Sequence, residues 1–226
     1  MAELDDTIRS TFAARTFTDD PVPDAVIHEL LDVARFASSG GNRQGWRVVV
    51  VRDAATRRRL IELGRPSMAV YLTQAAAGER PFNTITPTSI DVAAAEADPP
   101  PLDWVDALAE APVHLVIGLD LSEVASFDAE LDRVGVVSGA SIYPFAHNIL
   151  LAARARGYGG TLTTFISRAE DEVRELLGFP PDVAVAALLP LGVPPKLLTR
   201  LRRDPVEAFA RWERWDGDPV ERPDDQ

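Results

Sequence analysis

Three observations in the amino-acid sequence predict an α+β fold. Val48–Val51, Val113–Leu119 and Val183–Gly192 are nearly continuous apolar runs, the pattern of strands buried on both faces. Helical periodicity precedes and separates them. Ser138–Arg156 carries Ile142, Phe145, Ala146, Ile149, Leu150 and Ala153 and is apolar nearly all round. That pattern places it at the centre of the domain or at a subunit interface. Helices come first and strands then alternate with helices, so a sheet of modest size covered by helices is expected, and residues 1–226 are read as one domain.

The elements follow in order. Ile8 and Phe12, at i, i+4 spacing, mark a helix over Leu4–Ala14. Arg15–Pro23 is an extended link. Asp24 can cap the next helix, in which Val26, Ile27, Leu30, Leu31 and Ala34 recur at helical spacing. Ser38-Ser39-Gly40-Gly41-Asn42-Arg43-Gln44-Gly45-Trp46 joins that helix to a strand over Trp46–Arg52. Asp53 opens another helix, expected to reach Gly64. From about Arg65 to Pro101 the pattern weakens, and Pro66, Gly78, Pro81, Pro87 and Pro99-Pro100-Pro101 punctuate it. A segment of that kind is functional or mobile, or a surface insertion. Helices over Glu170–Leu177, ended by Gly178, and over Pro205–Trp215 complete the list.

Composition removes several classes of function. The formal net charge is −12, and an acidic surface repels phosphate backbones, so no nucleic-acid partner is expected. With no Cys there is no disulfide, thiolate metal site or cysteine nucleophile. The three His residues (His28, His114, His147) are far apart in sequence, so no metal site is assigned. His147, on the apolar helix, is read as packed and hydrogen-bonded. The N-terminal run Met1–Asp6 lacks the apolar stretch of a signal peptide, and no run reaches membrane-spanning length. A cytoplasmic protein that does not engage a membrane is expected.

Four separated segments carry polar chemistry. In the loop, glycines permit close backbone approach, while Asn42 and Gln44 each offer a donor and an acceptor; a plain helix cap with a turn fits the same residues. Arg15 sits in an otherwise apolar stretch, as an anion ligand or a surface ion-pair partner. Arg200 and Arg202 project together if their segment is extended, suiting phosphate, or they belong to a solvated basic turn. Gly160–Phe165, with Thr163 and Thr164, offers hydroxyls to a heterocycle, or is a plain strand. No Gly-x-Ser-x-Gly, GxGxxG or Walker A motif occurs. Several ligand contacts without a nucleophile or metal cluster point to an organic cofactor that does the chemistry.

Together these segments resemble the nitroreductase family of FMN-dependent oxidoreductases. The resemblance runs through Arg15-x-Phe17-x-x-x-Pro21-Val22, the loop Ser38–Trp46 and Asn148-x-Leu150-x-Ala152-Ala153. It continues in Gly157-Tyr158-Gly159, Leu176-Leu177-Gly178-x-Pro180, Leu191-Gly192-x-Pro194 and Arg200-x-Arg202-Arg203. It implies a three-layer sandwich with a central mixed sheet, and an intertwined homodimer with two FMN sites at the interface. Residues 205–226 would cross to the partner subunit, with Trp212 and Trp215 as anchors there or packed on their own domain.

Carried over onto this chain, Arg15, Arg200 and Arg202 bind the phosphate and ribityl chain. Ser39, Asn42 and Gln44 contact the flavin, and Thr163 and Thr164 lie by its N5 and O4 edge. Thr11-Phe12-Ala13-Ala14-Arg15 departs from the family's usual Arg-Arg-Ser-x-Arg. That implies weaker FMN binding, or Arg9 or Arg203 in place of the missing contacts. The implied reaction is ping-pong hydride transfer from NAD(P)H through the flavin to a nitroaromatic, quinone or enone, with no protein residue as acid or base. Residues 65–104 would shape the acceptor pocket, with Tyr71, Phe82 and Trp104 as stacking walls. The alternatives are a specialised dehydrogenase, oxidase or dehalogenase on the same scaffold, or a non-enzymatic flavin-binding homologue.

Overall fold

A computed structural model describes residues 3–222; Met1, Ala2 and the last four residues of the C-terminal extension, with Asp224 and Asp225, lie outside the described residues. In chain order the elements are α1 (Leu4–Ser10), α2 (Asp24–Ala34), β1 (Trp46–Val51), α3 (Ala54–Ala76), α4 (Val92–Ala97) and α5 (Asp103–Asp106). Then come β2 (Val113–Asp120), α6 (Tyr143–Ala155), β3 (Gly159–Gly160), α7 (Glu170–Leu177) and β4 (Val183–Gly192). The strands form one sheet in the order β1-β2-β4-β3, and each ladder is antiparallel. The parallel component among the described residues is the isolated bridge Ala13–Gly160.

Strand periodicity divides the core in two. Val113, Leu115, Ile117 and Leu119 of β2 join α2 and α6 on one face, while Val116 joins α3, α5 and α7 on the other. In β4 the register shifts opposite Ile117 and Gly118. Val185 therefore faces α3, while Ala187 two residues on faces α6, with Ala186 also packed on the α6 side. The result is the expected sandwich of helices, sheet and helices, with a sheet that is antiparallel rather than mixed.

Four elements differ from expectation. α1 ends at Ser10 rather than Ala14. Ser10 Oγ donates to the Asp6 carbonyl (2.6 Å) and Thr11 Oγ1 to the Thr7 carbonyl (2.7 Å), and the chain then turns extended to bridge Gly160. α3 passes Gly64 and Pro66 and runs to Ala76. A proline inside a helix costs about 3 kcal/mol. Leu60, Ile61, Met68 and Val70 are buried, each at roughly 1.5–3 kcal/mol, so packing prevails. Gly64 is no stop signal: a Cβ there would meet the Phe165 ring at 2.0 Å, so the glycine lets that ring lie against the helix. Ahead of α6, Val137–Ser141 is a 3₁₀ turn.

The predicted helix Pro205–Trp215 is absent. The chain makes a short 3₁₀ turn at Val206–Ala208, then folds back through the Arg211–Pro219 bridge. Trp212 and Trp215 are 58% and 97% exposed, so they do not pack on their own domain. Pro195–Arg200, leading into this region from β4, is exposed and includes Lys196, the sole lysine. No helix among the described residues is long and apolar enough to cross a membrane.

Candidate functional site

A cavity of about 420 Å³ opens between the end of the sheet and α3. Its polar wall is made by backbone pairing. Thr163 and Leu188 exchange both backbone hydrogen bonds (3.0 and 2.8 Å), and the Thr163 hydroxyl also donates to the Leu188 carbonyl at 3.1 Å. Ala14 N–H donates to the Gly160 carbonyl at 2.9 Å, which sets Arg15 beside Thr161 on the same wall. The closeness of these strands needs Gly160: a Cβ there would meet Leu191 Cδ2 at 2.4 Å and the Pro190 carbonyl oxygen at 2.6 Å. Thr164, exposed, completes the hydroxyl row.

The facing wall is aromatic. Ser67 and Tyr71, one turn apart on α3, line it together with Met68, Trp104 of α5 and Phe82. Phe82 holds a left-handed backbone (φ 52°) and its N–H donates to Oε1 of the buried Gln74 at 3.0 Å. Beyond it the chain is gathered by Glu79, whose carboxylate accepts from Ser89 Oγ (2.6 Å), Ser89 N–H (2.7 Å) and Thr88 Oγ1 (2.6 Å). The Ser89 hydroxyl above all, and then that of Thr88, hold Glu79 below the usual carboxylate range.

Two guanidiniums cross from the polar side to this aromatic wall. Arg15 stands over the Trp104 ring at 5.3 Å, and Arg168 over Phe82 at 5.5 Å while it also pairs with Glu96 at 3.2 Å. Each stacking contact stabilises by about 0.5–1 kcal/mol at an exposed site. Arg15 has no carboxylate partner among the described residues, so the ion-pair reading of it fails.

Arg15, Thr163, Thr164, Tyr71, Phe82 and Trp104 thus converge on one cavity. Ser39, Asn42, Gln44, Arg200 and Arg202 do not line it. The loop is bonded to itself: Ser39 Oγ accepts from Gln44 N–H at 3.0 Å, and Gln44 Nε2 donates to Asn42 O and Oδ1, both at 3.3 Å. Asn42 and Gln44 are left-handed (φ 54° and 55°), a conformation uncommon outside glycine. Gly40 N–H reaches Ser141 Oγ at 3.3 Å, and Trp46 stacks on Phe145 of α6 at 4.8 Å. Arg200 and Arg202 are exposed in a segment without regular structure.

Sequence reasoning missed Arg168 altogether; Ser67, Met68, Thr161, Leu162 and Phe165 lie in the two segments it named but were not singled out as lining residues. The burial of Ser67 and Met68 follows from the α3 extension that Pro66 concealed. His147 corrects an expectation: it is exposed, on the α6 face shared with Tyr143, rather than packed. His114 is the buried histidine. Its Nε2–H donates to the Leu108 carbonyl at 2.8 Å, its Nδ1 has no partner, and burial lowers its pKa to about 4. It does not line the cavity. No cluster of three or more metal-ligating side chains occurs among the described residues.

The pattern of the nitroreductase family matches residues 8–193. An NADH dehydrogenase of Thermus thermophilus is 29% identical over 198 residues, covering 88% of this chain and 90% of its own. A nitrobenzene nitroreductase of Ectopseudomonas oleovorans is 28% identical over 208 residues, covering 84% and 86%. Among solved structures, iodotyrosine deiodinase bound to FMN and 3-iodo-L-tyrosine superposes with a TM-score of 0.66 at 20% identity, over 94% of this chain and 100% of the other. The antiparallel sheet between two helical layers, the cavity at its end and the match over residues 8–193 agree: the chain belongs to the nitroreductase family of flavin-dependent oxidoreductases.

Proposed function

We propose that the protein binds FMN and uses NAD(P)H to reduce electron-poor acceptors such as nitroaromatics, quinones or enones. The cavity in which Arg15, Thr163 and Thr164 face Tyr71, Phe82 and Trp104 carries this reading. Its donor set fits the group. A guanidinium and a row of hydroxyls suit the polar edge of a flat heterocycle, and aromatic side chains suit an acceptor stacked on it. When bound, FMN supplies the chemistry: hydride taken at N5 from the nicotinamide and passed to the acceptor. The chain positions the reactants and excludes water; no side chain is assigned an acid or base role.

In this reading the functional molecule is a homodimer, and Ser39, Asn42, Gln44, Arg200 and Arg202 complete the flavin site. The self-bonded loop lies outside the cavity of its own chain, which supports a contact made across an interface. The exposed Phe209, Trp212 and Trp215 support a C-terminal extension that docks on the partner subunit. Residues 65–104 act as the acceptor-shaping segment.

The absorption spectrum of the purified protein tests the proposal, followed by identification of the released cofactor and turnover with NADH or NADPH and a quinone. A yellow protein releasing FMN and turning over menadione is expected. A colourless protein that gains no flavin absorbance on incubation with FMN overturns it. Bound FMN that NAD(P)H reduces poorly and oxygen reoxidises fast transfers the assignment to a specialised oxidase or dehalogenase.

A further inference from the structure

Arg154 and Arg156 leave the same end of α6 and meet different surroundings. Arg156 pairs with Glu29 at 3.1 Å. Arg154 has no carboxylate within ion-pair distance among the described residues. Its Nε donates to Ser10 Oγ at 3.0 Å and its Nη2 to the Leu198 carbonyl at 3.2 Å. Both acceptors are neutral, so no group among the described residues compensates the charge.

These two bonds fix where the guanidinium stands. Ser10 ends α1, and the five residues Thr11–Arg15 run from it to the cavity, a span of at most about 17 Å. Leu198 lies two residues before Arg200. Arg154 therefore ties the start of the cavity-forming segment to the basic segment that follows β4. Arg9, next to Ser10, and Arg15, Arg200, Arg202 and Arg203 on the two segments also lack carboxylate partners among the described residues, in a chain with 35 acidic residues against 23 Lys and Arg. Other arginines lack ion pairs too, but here two basic segments are tied together by Arg154, which offers an anion several guanidiniums at once. Thr11, Phe12 and Ala13 bring no cation to it.

We infer that Arg154, held at Ser10 and Leu198, binds the phosphate of flavin mononucleotide and supplies the cation that Thr11–Ala13 lack. The inference rests on the flavin reading above. A role confined to the α6 C-terminal dipole is the competing account, and a ligand without the phosphate separates the two.

The protein freed of bound flavin is titrated with FMN and with riboflavin, following quenching of flavin fluorescence. Wild type is expected to prefer FMN. Arg154→Met should lose about ten- to a hundredfold in FMN affinity, the effect of one charge-assisted hydrogen bond, with riboflavin affinity unchanged. Arg156→Met should leave the preference intact. Arg154→Lys, which keeps the charge and loses the planar fork, should lose part of the preference, and it decides the matter if Arg154→Met does not fold. Equal loss for both flavins, or an unchanged FMN-to-riboflavin ratio in both Arg154 variants, overturns the assignment and leaves the flavin reading standing. A wild type that binds neither flavin overturns the flavin reading and this inference with it.

Discussion

The two walls of the cavity are held by different kinds of bond. Thr161–Thr164 and Arg15 hang on the sheet: each backbone link to Leu188 or Gly160 belongs to a network that also holds β3 and β4 together. Phe82 and the chain after it hang on side chains, one amide oxygen of Gln74 and one carboxylate of Glu79. The polar wall cannot move without disturbing the core, whereas the Phe82 part of the aromatic wall, unlike the α3 part, is fixed by a few replaceable groups. A scaffold built this way holds a cofactor constant while the acceptor surface varies. It also gives a physical reason for sequence pattern being clear on one side of the cavity and weak on the other.

The largest expected effect tests the sheet that carries the polar wall. His114 on β2 has its pKa lowered from 6.5 to about 4 by burial, so below pH 6.5 the unfolded chain takes up a proton that the folded chain refuses. Stability should therefore be full above pH 6.5 and fall by about 3 kcal/mol as pH drops to 4. His114→Gln should remove that part of the slope in urea denaturation run from pH 4 to 7. An unchanged slope would dissociate the sheet's acid sensitivity from His114.

Gly160→Ala comes next. The added methyl must displace Leu191 and the Pro190 backbone, at about 2 kcal/mol. Thermal denaturation should show it, and flavin affinity should fall as well. A wild-type melting temperature would mean that the polar wall yields as readily as the aromatic one. The smallest effect belongs to Gln74→Leu, which removes the Phe82 anchor at about 1 kcal/mol. Amide hydrogen exchange should quicken over residues 80–90, with acceptor KM altered and flavin affinity preserved. A global loss as large as that of Gly160→Ala would make the aromatic wall part of the core.

The three long strands and α6 were legible because their apolar runs coincide with burial; Val183–Gly192 has the expected bounds, as has the helix Glu170–Leu177 with its Gly178 stop, whereas the short β3 was not foreseen. Arg15, Thr163 and Thr164 were legible through the resemblance, and Tyr71, Phe82 and Trp104 only as a guess about an unreadable segment. α3 was cut short because Gly64 and Pro66 carry local stop signals, which the buried Met68 and Val70 and the contact with Phe165 overrule. Arg168 and Arg154 had no sequence signal. One among 22 arginines becomes distinctive only through what it touches, a ring in one case and two neutral oxygens in the other.

Lys196 gives this molecule an experimental property of its own. It is exposed, it is the one lysine, and it lies two residues before the carbonyl that receives Arg154. An amine-reactive reagent therefore meets a single side-chain target in the whole chain. Acylation there would erase one charge beside the basic segment Arg200–Arg203 without a mutation, and a dye attached by the same chemistry would report binding from beside that segment. The scarcity of lysine, combined with the absence of cysteine, leaves one side chain open to amine- or thiol-directed labelling.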